Sequence, residues 1–261
     1  MNRTLDLSDT RSWMKVAKTV ASKVVSPQIR EALKDFDPED MYDDTLPYLV
    51  EISERFGEMI DLQEWEDNFS EQFSFHYDSI RAFHACRPLD LDSYKRRGIL
   101  KLTKELLLEL AVEVLGGHAS KEKISRAIDE LDISWDEFGV NLFTDSKSPL
   151  DSSQNHYLWC GSEELQGLAI KLNLGSRGIL NGRGRPHLIE CVVPLENVRS
   201  DFYRNLWRLL ITQYFKKAAG GRPLTQAPDF CIRVTEDIHP EMIKRFIPLS
   251  DENLVFEHCW H

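Results

Sequence analysis

In the stretch IRAFHACRPLDLDSYKRRGIL, Ile80–Leu100, a strand, a turn and a short helix are expected in immediate succession. Ile80–Cys86 mixes apolar and polar side chains with β-branched and aromatic members, and Pro88 closes it, which is the pattern of a strand ending in a turn. His84 and Arg87 then leave the sheet together. Asp90 or Asp92 caps a brief helix through Tyr94–Arg97, and Gly98 supplies the left-handed residue that stops it.

Working outward, the front of the chain reads as helical. Ser8 or Asp9 caps a helix through about Val24 with Trp13, Val16, Val20 and Val24 at helical spacing. Pro27 suits the start of a second, Gln28–Phe36. The run DFDPEDMYDD is an acidic loop, Leu46–Ile60 a third helix, and LQEWEDNFSEQF continues in helical style. Beyond Gly98, Thr103 caps TKELLLELAVEVLGG, and SKEKISRAIDEL (Ser120–Leu131) makes another helix. Then the pattern changes. Phe138–Asp145, Asn155–Gly161, His187–Leu195, Asp229–Val234 and Glu252–Cys259 read as strands. Ser162 caps the helix EELQGLAIKLN between two of them, and SDFYRNLWRLLITQYFKKA is a long amphipathic helix.

Helices first, then strands with helices between them, favour an α+β architecture over a doubly wound parallel sheet. The expected division is a helical acidic region, 1–75, followed by an α+β domain, 76–261.

The 261 residues, 42% hydrophobic and 29% charged, have the composition of a globular chain. No run approaches the roughly 18 to 20 apolar residues that cross a bilayer. MNRTLDLSDTRSW lacks the apolar core of a secretion signal, so the expected location is the cytoplasm and no membrane partner is expected. The five cysteines are isolated and odd in number, which fits buried thiols better than a disulfide scaffold or a zinc site. EHCWH at residues 257–261 brings His258, Cys259 and His261 close together, and a fraying tail is the simpler reading of it.

Charge is unevenly distributed. Residues 1–75 hold 17 acidic and 8 basic side chains, a net −9, whereas 171–222 hold 10 basic and 3 acidic, a net +7. The asymmetry fits a contact within the chain, an anionic ligand at the basic part, or a solvated helix face carrying Arg199, Arg204 and Arg208. In the loop Gly175–Pro186, Arg177, Arg183 and Arg185 stand among glycines. They suit a phosphate of a nucleotide or nucleic acid, and equally a basic surface loop. Neither a P-loop nor a dinucleotide-binding glycine fingerprint is present.

Three segments together resemble the ADP-ribosyltransferase fold. FHACR (Phe83–Arg87) with SYKRRGIL (Ser93–Leu100) is similar to its opening strand, which carries a ligand-binding His or Arg and leads to a helix ending in Gly-Ile or Gly-Leu. HYLWCGSEELQGLA looks like its strand-then-helix step, with an aromatic and a small polar residue flanking nicotinamide. DFCIRVTEDIHPEMIKRFIP looks like its late strand and the turn Ile-x-Pro-Glu-x-Ile, here Ile238–Ile243. The resemblance covers about residues 80–250. It implies a helical N-terminal region followed by a mixed or antiparallel split β-sheet core with flanking helices.

It also implies NAD as co-substrate and transfer of ADP-ribose to an acceptor, protein or nucleic acid, or hydrolysis of NAD. Breaking the bond to nicotinamide builds positive charge on the ribose, as in glycoside cleavage. A carboxylate stabilises that charge, an aromatic face holds the departing ring, and a polar side chain grips ribose hydroxyls. The resemblance points to His84 for the grip and Arg87 for the pyrophosphate. Tyr157 is the stacking residue, with Trp159 on the same face of a regular strand. Ser162 is a helix cap or a ribose contact.

The family's late-strand carboxylate is usually Glu, and the matching residue is Asp229, one methylene shorter. Glu236 is the substitute and Glu190 the third choice. Leu168 stands where one branch of the family has a second tyrosine. If no carboxylate reaches the pocket, the chain is a noncatalytic module that binds nucleotide, nucleic acid or protein on an α+β fold.

Overall fold

The computed structural model describes residues 3–32, 34, 46–57, 61–131, 133–135, 138–150, 156–175, 179–180, 183–220, 230–251 and 254. The chain divides into two compact units, Met1–Arg81 with Pro194–Ile232, and Ala82–Val193 with Arg233–His261.

The first unit is a helical layer. Its helices are α1 (Thr10–Val24), α2 (Pro27–Ala32), α3 (Leu46–Arg55), α4 (Leu62–Ser74) and α10 (Ser200–Ala218). Asp9 caps α1 by accepting from the Ser12 backbone N–H, and Asp61 caps α4 through Gln63 and Glu64. The buried stripe of α1 is Trp13, Met14, Ala17, Val20 and Ala21. It packs with α4 and α10, where Trp207 stacks on Phe73 at 4.6 Å and meets the edge of Tyr203 at 5.0 Å. Glu66 of α4 and Arg208 of α10 form an ion pair beside them. The short strand β1 (Thr4–Leu5) runs parallel to the first residues of β2 (Ser79–Cys86), Thr4 opposite Ser79 and Leu5 opposite Ile80.

The second unit is built on the sheet. Its further strands are β3 (Val140–Phe143), β4 (His187–Pro194), β5 (Cys231–Val234) and β6 (Ile243–Pro248), in the order β5-β3-β2-β4-β6. Pairing is antiparallel between β2 and β3 and between β4 and β6. The architecture is α+β. The described strands lie in one sheet, where the resemblance implies a split one.

Around the sheet stand α5 (Leu91–Arg97), α6 (Lys104–Leu115), α7 (Lys121–Asp129), α8 (His156–Cys160) and α9 (Glu163–Lys171). Leu107, Ala111 and Leu115 of α6 meet Ile124 and Ile128 of α7 and Leu168 of α9 in a closed apolar cluster. Each fully buried Leu or Ile there contributes about 1.5–3 kcal/mol. The other side of α6 carries Leu106, Glu109, Leu110 and Glu113 at helical spacing, and these face the cavity described below.

Three expectations change. Asn155–Gly161, expected as a strand, is helical from His156 to Cys160. Ile243–Pro248, where no strand is expected, is the edge strand β6. The third helix ends at Arg55, where Phe56 and Gly57 turn, rather than running on to Ile60. The expected strand Glu252–Cys259, the acidic run 35–44 apart from its flanks, and the His258, Cys259 and His261 cluster lie outside the described residues. Among the described residues no helix is long and apolar enough to cross a membrane, and no group of three or more metal-binding side chains gathers.

Candidate functional site

The site lies within the second unit, where β2 ends. Two close approaches fix the chain there. Gly98, at φ +78°, ends α5, and a Cβ on it would fall 2.0 Å from the Ile238 carbonyl oxygen. The Ile99 and Ile238 backbones exchange hydrogen bonds of 2.9 and 2.8 Å across this gap. RRGIL and the turn around Pro240, distant in sequence, are thereby locked together. Gly184, at φ +67°, packs equally tightly on the Pro88 carbonyl.

The end of β2, α5, one face of α6, β3, α8 and the first turn of α9 enclose a cavity of about 440 Å³. That is within the range of small-molecule sites. His84, Arg87, Tyr157 and Ser162 all line it.

His84 is half-buried, its Nδ1 lying 3.3 Å from the Asn141 carbonyl oxygen. A carbonyl only accepts, so Nδ1 carries the proton and Nε2 is left as an acceptor. Burial drives the imidazole pKa down to about 4, with the Asn141 bond opposing. The ring is therefore neutral at pH 7. Tyr94 lies 6.3 Å away, ring to ring, and its buried phenol is hydrogen-bonded with the Cys86 thiol; burial raises the pKa of both groups.

Arg87 does not have the freedom that a phosphate ligand requires. Its side chain is 4% exposed, and its guanidinium donates to the carbonyls of Arg183 (2.8 Å) and Leu158 (3.0 Å) and pairs with Asp251 (2.8 Å). It ties the end of β2 to three other segments.

Tyr157 and Trp159 part company because the segment is helical. Two residues along a helix are about 200° apart, not on one face as in a strand. Tyr157 turns to the cavity and meets the edge of Phe143 at 6.1 Å, whereas Trp159 packs on the cluster of α6, α7 and α9. Ser162 is the N-cap of α9, accepting from Leu165 N–H at 3.3 Å and donating to Glu164 at 2.6 Å, and it lines the cavity as well.

The carboxylate that accompanies them is Glu163. His156 Nε2 lies 2.9 Å from its Oε1, and the Tyr157 hydroxyl bonds it too. These bonds, the His156 bond foremost, together with the charge of Arg233, hold its carboxyl below the usual range, so it is ionised at pH 7. Glu236 is exposed and does not line the cavity; Glu190 pairs with Arg245 at 2.7 Å on the neighbouring strands. Asp229 and Arg177 lie outside the described residues. Arg183 and Arg185 are not among the lining residues either. Arg183 Nη1 reaches the Glu113 carbonyl at 3.5 Å, and Arg185 is exposed, its carbonyl accepting from His187.

Glu163 has no sequence signal of its own, since an acid at the first position of a capped helix is the ordinary complement of the helix dipole. Asn141, whose carbonyl sets the His84 tautomer, is likewise invisible before the register of β2 and β3 is known. The walls hold five carboxylates, Asp90, Glu109, Glu113, Glu163 and Glu164, against the guanidiniums of Arg87 and Arg97. The field inside favours positive charge.

Comparison of the chain with known protein families, with curated proteins and with solved structures returns no match.

Proposed function

We propose that the chain is an NAD-dependent ADP-ribosyltransferase-like enzyme whose cavity holds the nicotinamide and ribose end of NAD. One observation carries this: His84 of β2 and, from the α8–α9 segment, Tyr157, Ser162 and the ionised Glu163 line a single cavity. Neutral His84 accepts a ribose hydroxyl at Nε2. The Tyr157 ring holds the nicotinamide face, and Glu163 stabilises the positive charge that develops as the C1′–N bond breaks. The acid-rich wall suits that cationic transition state.

The fold proposed is the ADP-ribosyltransferase-like one. The junction of Gly98–Ile99 with Ile238 supports it by bringing the first and last resembling segments together, while the helical α8 departs from it. ADP-ribose goes to an acceptor or to water, and a cytoplasmic setting with access to NAD belongs to the same proposal.

The test is nicotinamide release from NAD by the full chain, with a melting curve in the presence and absence of NAD. We expect NAD to raise Tm, His84→Ala to abolish release, and Glu163→Gln to lower kcat about a hundredfold with a smaller change in KM. No release and no shift in Tm would overturn the proposal.

A second reading is favoured by two observations, the engagement of Arg87 and the surplus of carboxylates, both unfavourable to a diphosphate. In it the chain is a noncatalytic module that binds protein rather than nucleotide or nucleic acid. Neither nicotinamide release nor an NAD-dependent rise in Tm, with the chain folded, would select it.

A further inference from the structure

Phosphates are ordinarily held by guanidiniums, by backbone N–H groups at glycines, or by a helix N-terminus. Each of these, where it borders the cavity, is already engaged. Arg87 is held by the Arg183 and Leu158 carbonyls and by Asp251. The N–H groups of Gly98 and Gly161, both on the wall, donate to the Tyr94 and Tyr157 carbonyls at 2.9 and 3.1 Å. The N-terminus of α9 borders the cavity, but Ser162 takes the Leu165 N–H, and Glu163 and Glu164 in the first turn already answer the helix dipole. Among the described lining residues there is no lysine, and Arg97 is the one guanidinium besides Arg87.

The carboxylates suit the opposite kind of ligand. Glu109 and Glu113 stand one turn apart on the cavity side of α6, and among the described residues neither side chain has a partner. Both are exposed and free to accept hydroxyls or to face a cation.

We propose that the cavity prefers a cationic pyridinium N-riboside with a free 5′-hydroxyl, nicotinamide riboside being the simplest, and that the chain hydrolyses it. The inference rests on the chemistry proposed at C1′ and names the carrier of nicotinamide that the cavity selects. The riboside is a cation, its charge borne by the ring that Tyr157 holds. A 5′-phosphate or a diphosphate reverses the net sign and sets anionic oxygens against acidic walls. In the reaction the C1′–N bond breaks, its electron pair goes to the ring nitrogen, and nicotinamide leaves neutral. The oxygen of a water bonds to C1′, one of its protons passes to Glu163, and Glu163 releases it to solvent. Ribose is the other product, and nothing is oxidised or reduced.

The experiment measures nicotinamide release by the full chain, at low ionic strength, from nicotinamide riboside, from its 5′-monophosphate and from NAD. We expect kcat/KM for the riboside to exceed that for either phosphorylated form by at least about tenfold. Glu109→Gln and Glu113→Gln, made separately, are each expected to narrow that ratio about threefold, because each removes one charge that attracts the cation and repels phosphate. NAD cleaved as well as the riboside, or better, overturns the inference and leaves the proposed function standing. A riboside preference that both variants retain in full overturns its origin in the wall charges. Cleavage of the riboside by a chain whose Tm does not respond to NAD and which releases nothing from it upholds the inference and removes NAD as the substrate. A chain that cleaves none of the three overturns both.

Discussion

The two units handle their aromatic and charged residues in opposite ways. In the first, Trp207, Phe73 and Tyr203 stack on one another and the Glu66–Arg208 pair lies beside them, with large rings filling the space between α1, α4 and α10. In the second, Tyr157 and His84 line a cavity of about 440 Å³ instead of a packed centre. The same residue types close one interior and furnish the other. The difference lies in what surrounds them: apolar helix stripes in the first unit, carboxylates and backbone ends in the second.

The largest expected effect tests the closed side of this contrast. Trp207 is 1% exposed and contacts three rings. Trp207→Ala is expected to destabilise the first unit by about 3–5 kcal/mol, the range for large aromatic deletions in cores. Urea unfolding followed by circular dichroism measures it. A loss below about 1 kcal/mol would mean that the stacked rings do not carry the unit, and the contrast would fail.

The next effect tests the open side. If Arg87 is a structural tie, Arg87→Met removes donors from the Leu158 and Arg183 carbonyls and from Asp251. Leaving the buried Leu158 carbonyl without a partner costs about 1–3 kcal/mol and the half-buried Arg183 carbonyl, which water partly reaches, about 1 kcal/mol more; solvent reaches the exposed Asp251, so the expected loss is about 2–4 kcal/mol. At a temperature where the variant is folded, its NAD-dependent rise in Tm should match that of the wild type. A stable variant that has lost the response to NAD would return Arg87 to the role of phosphate ligand.

Helix starts are the most legible features of this chain. Asp9, Thr103 and Ser162 cap the helices they precede, and Ser200–Ala218 runs over the residues its amphipathic pattern marks. These signals are local, and a cap hydrogen bond acts within three residues. HYLWC was misleading for a physical reason. A short aromatic and apolar run has no periodicity long enough to separate strand from buried helix, and Leu158 and Cys160 are buried in either case. β6 escaped notice because Lys244 and Arg245 are exposed, as charged side chains on an edge strand commonly are.

Within the site, His84, Tyr157 and Ser162 could be singled out by residue type and neighbours. Glu163 and Asn141 acquire their roles only through contacts made by folding, with His156 and Tyr157 in one case and across the β2–β3 register in the other.

The smallest effect sharpens the contrast by titration. His84 has its pKa lowered by burial to about 4 from 6.5. Between those values the unfolded chain binds a proton that the folded chain does not. The stabilisation from His84 is thus fully present above pH 6.5 and is lost as pH falls toward 4. One pH step through this window changes stability by at most about 1.4 kcal/mol. The ring borders a cavity, and solvent screening there brings the expected total to about 1–2 kcal/mol.

His84→Gln keeps a hydrogen-bonding group and lacks the titration, so the difference between wild type and variant, followed by urea unfolding from pH 4 to pH 7, isolates this residue from carboxylates common to both. A difference that grows with pH across the window is expected. A flat difference would mean that water reaches the imidazole as freely as in the unfolded chain, and its neutrality at the end of β2 would then owe nothing to the cavity around it.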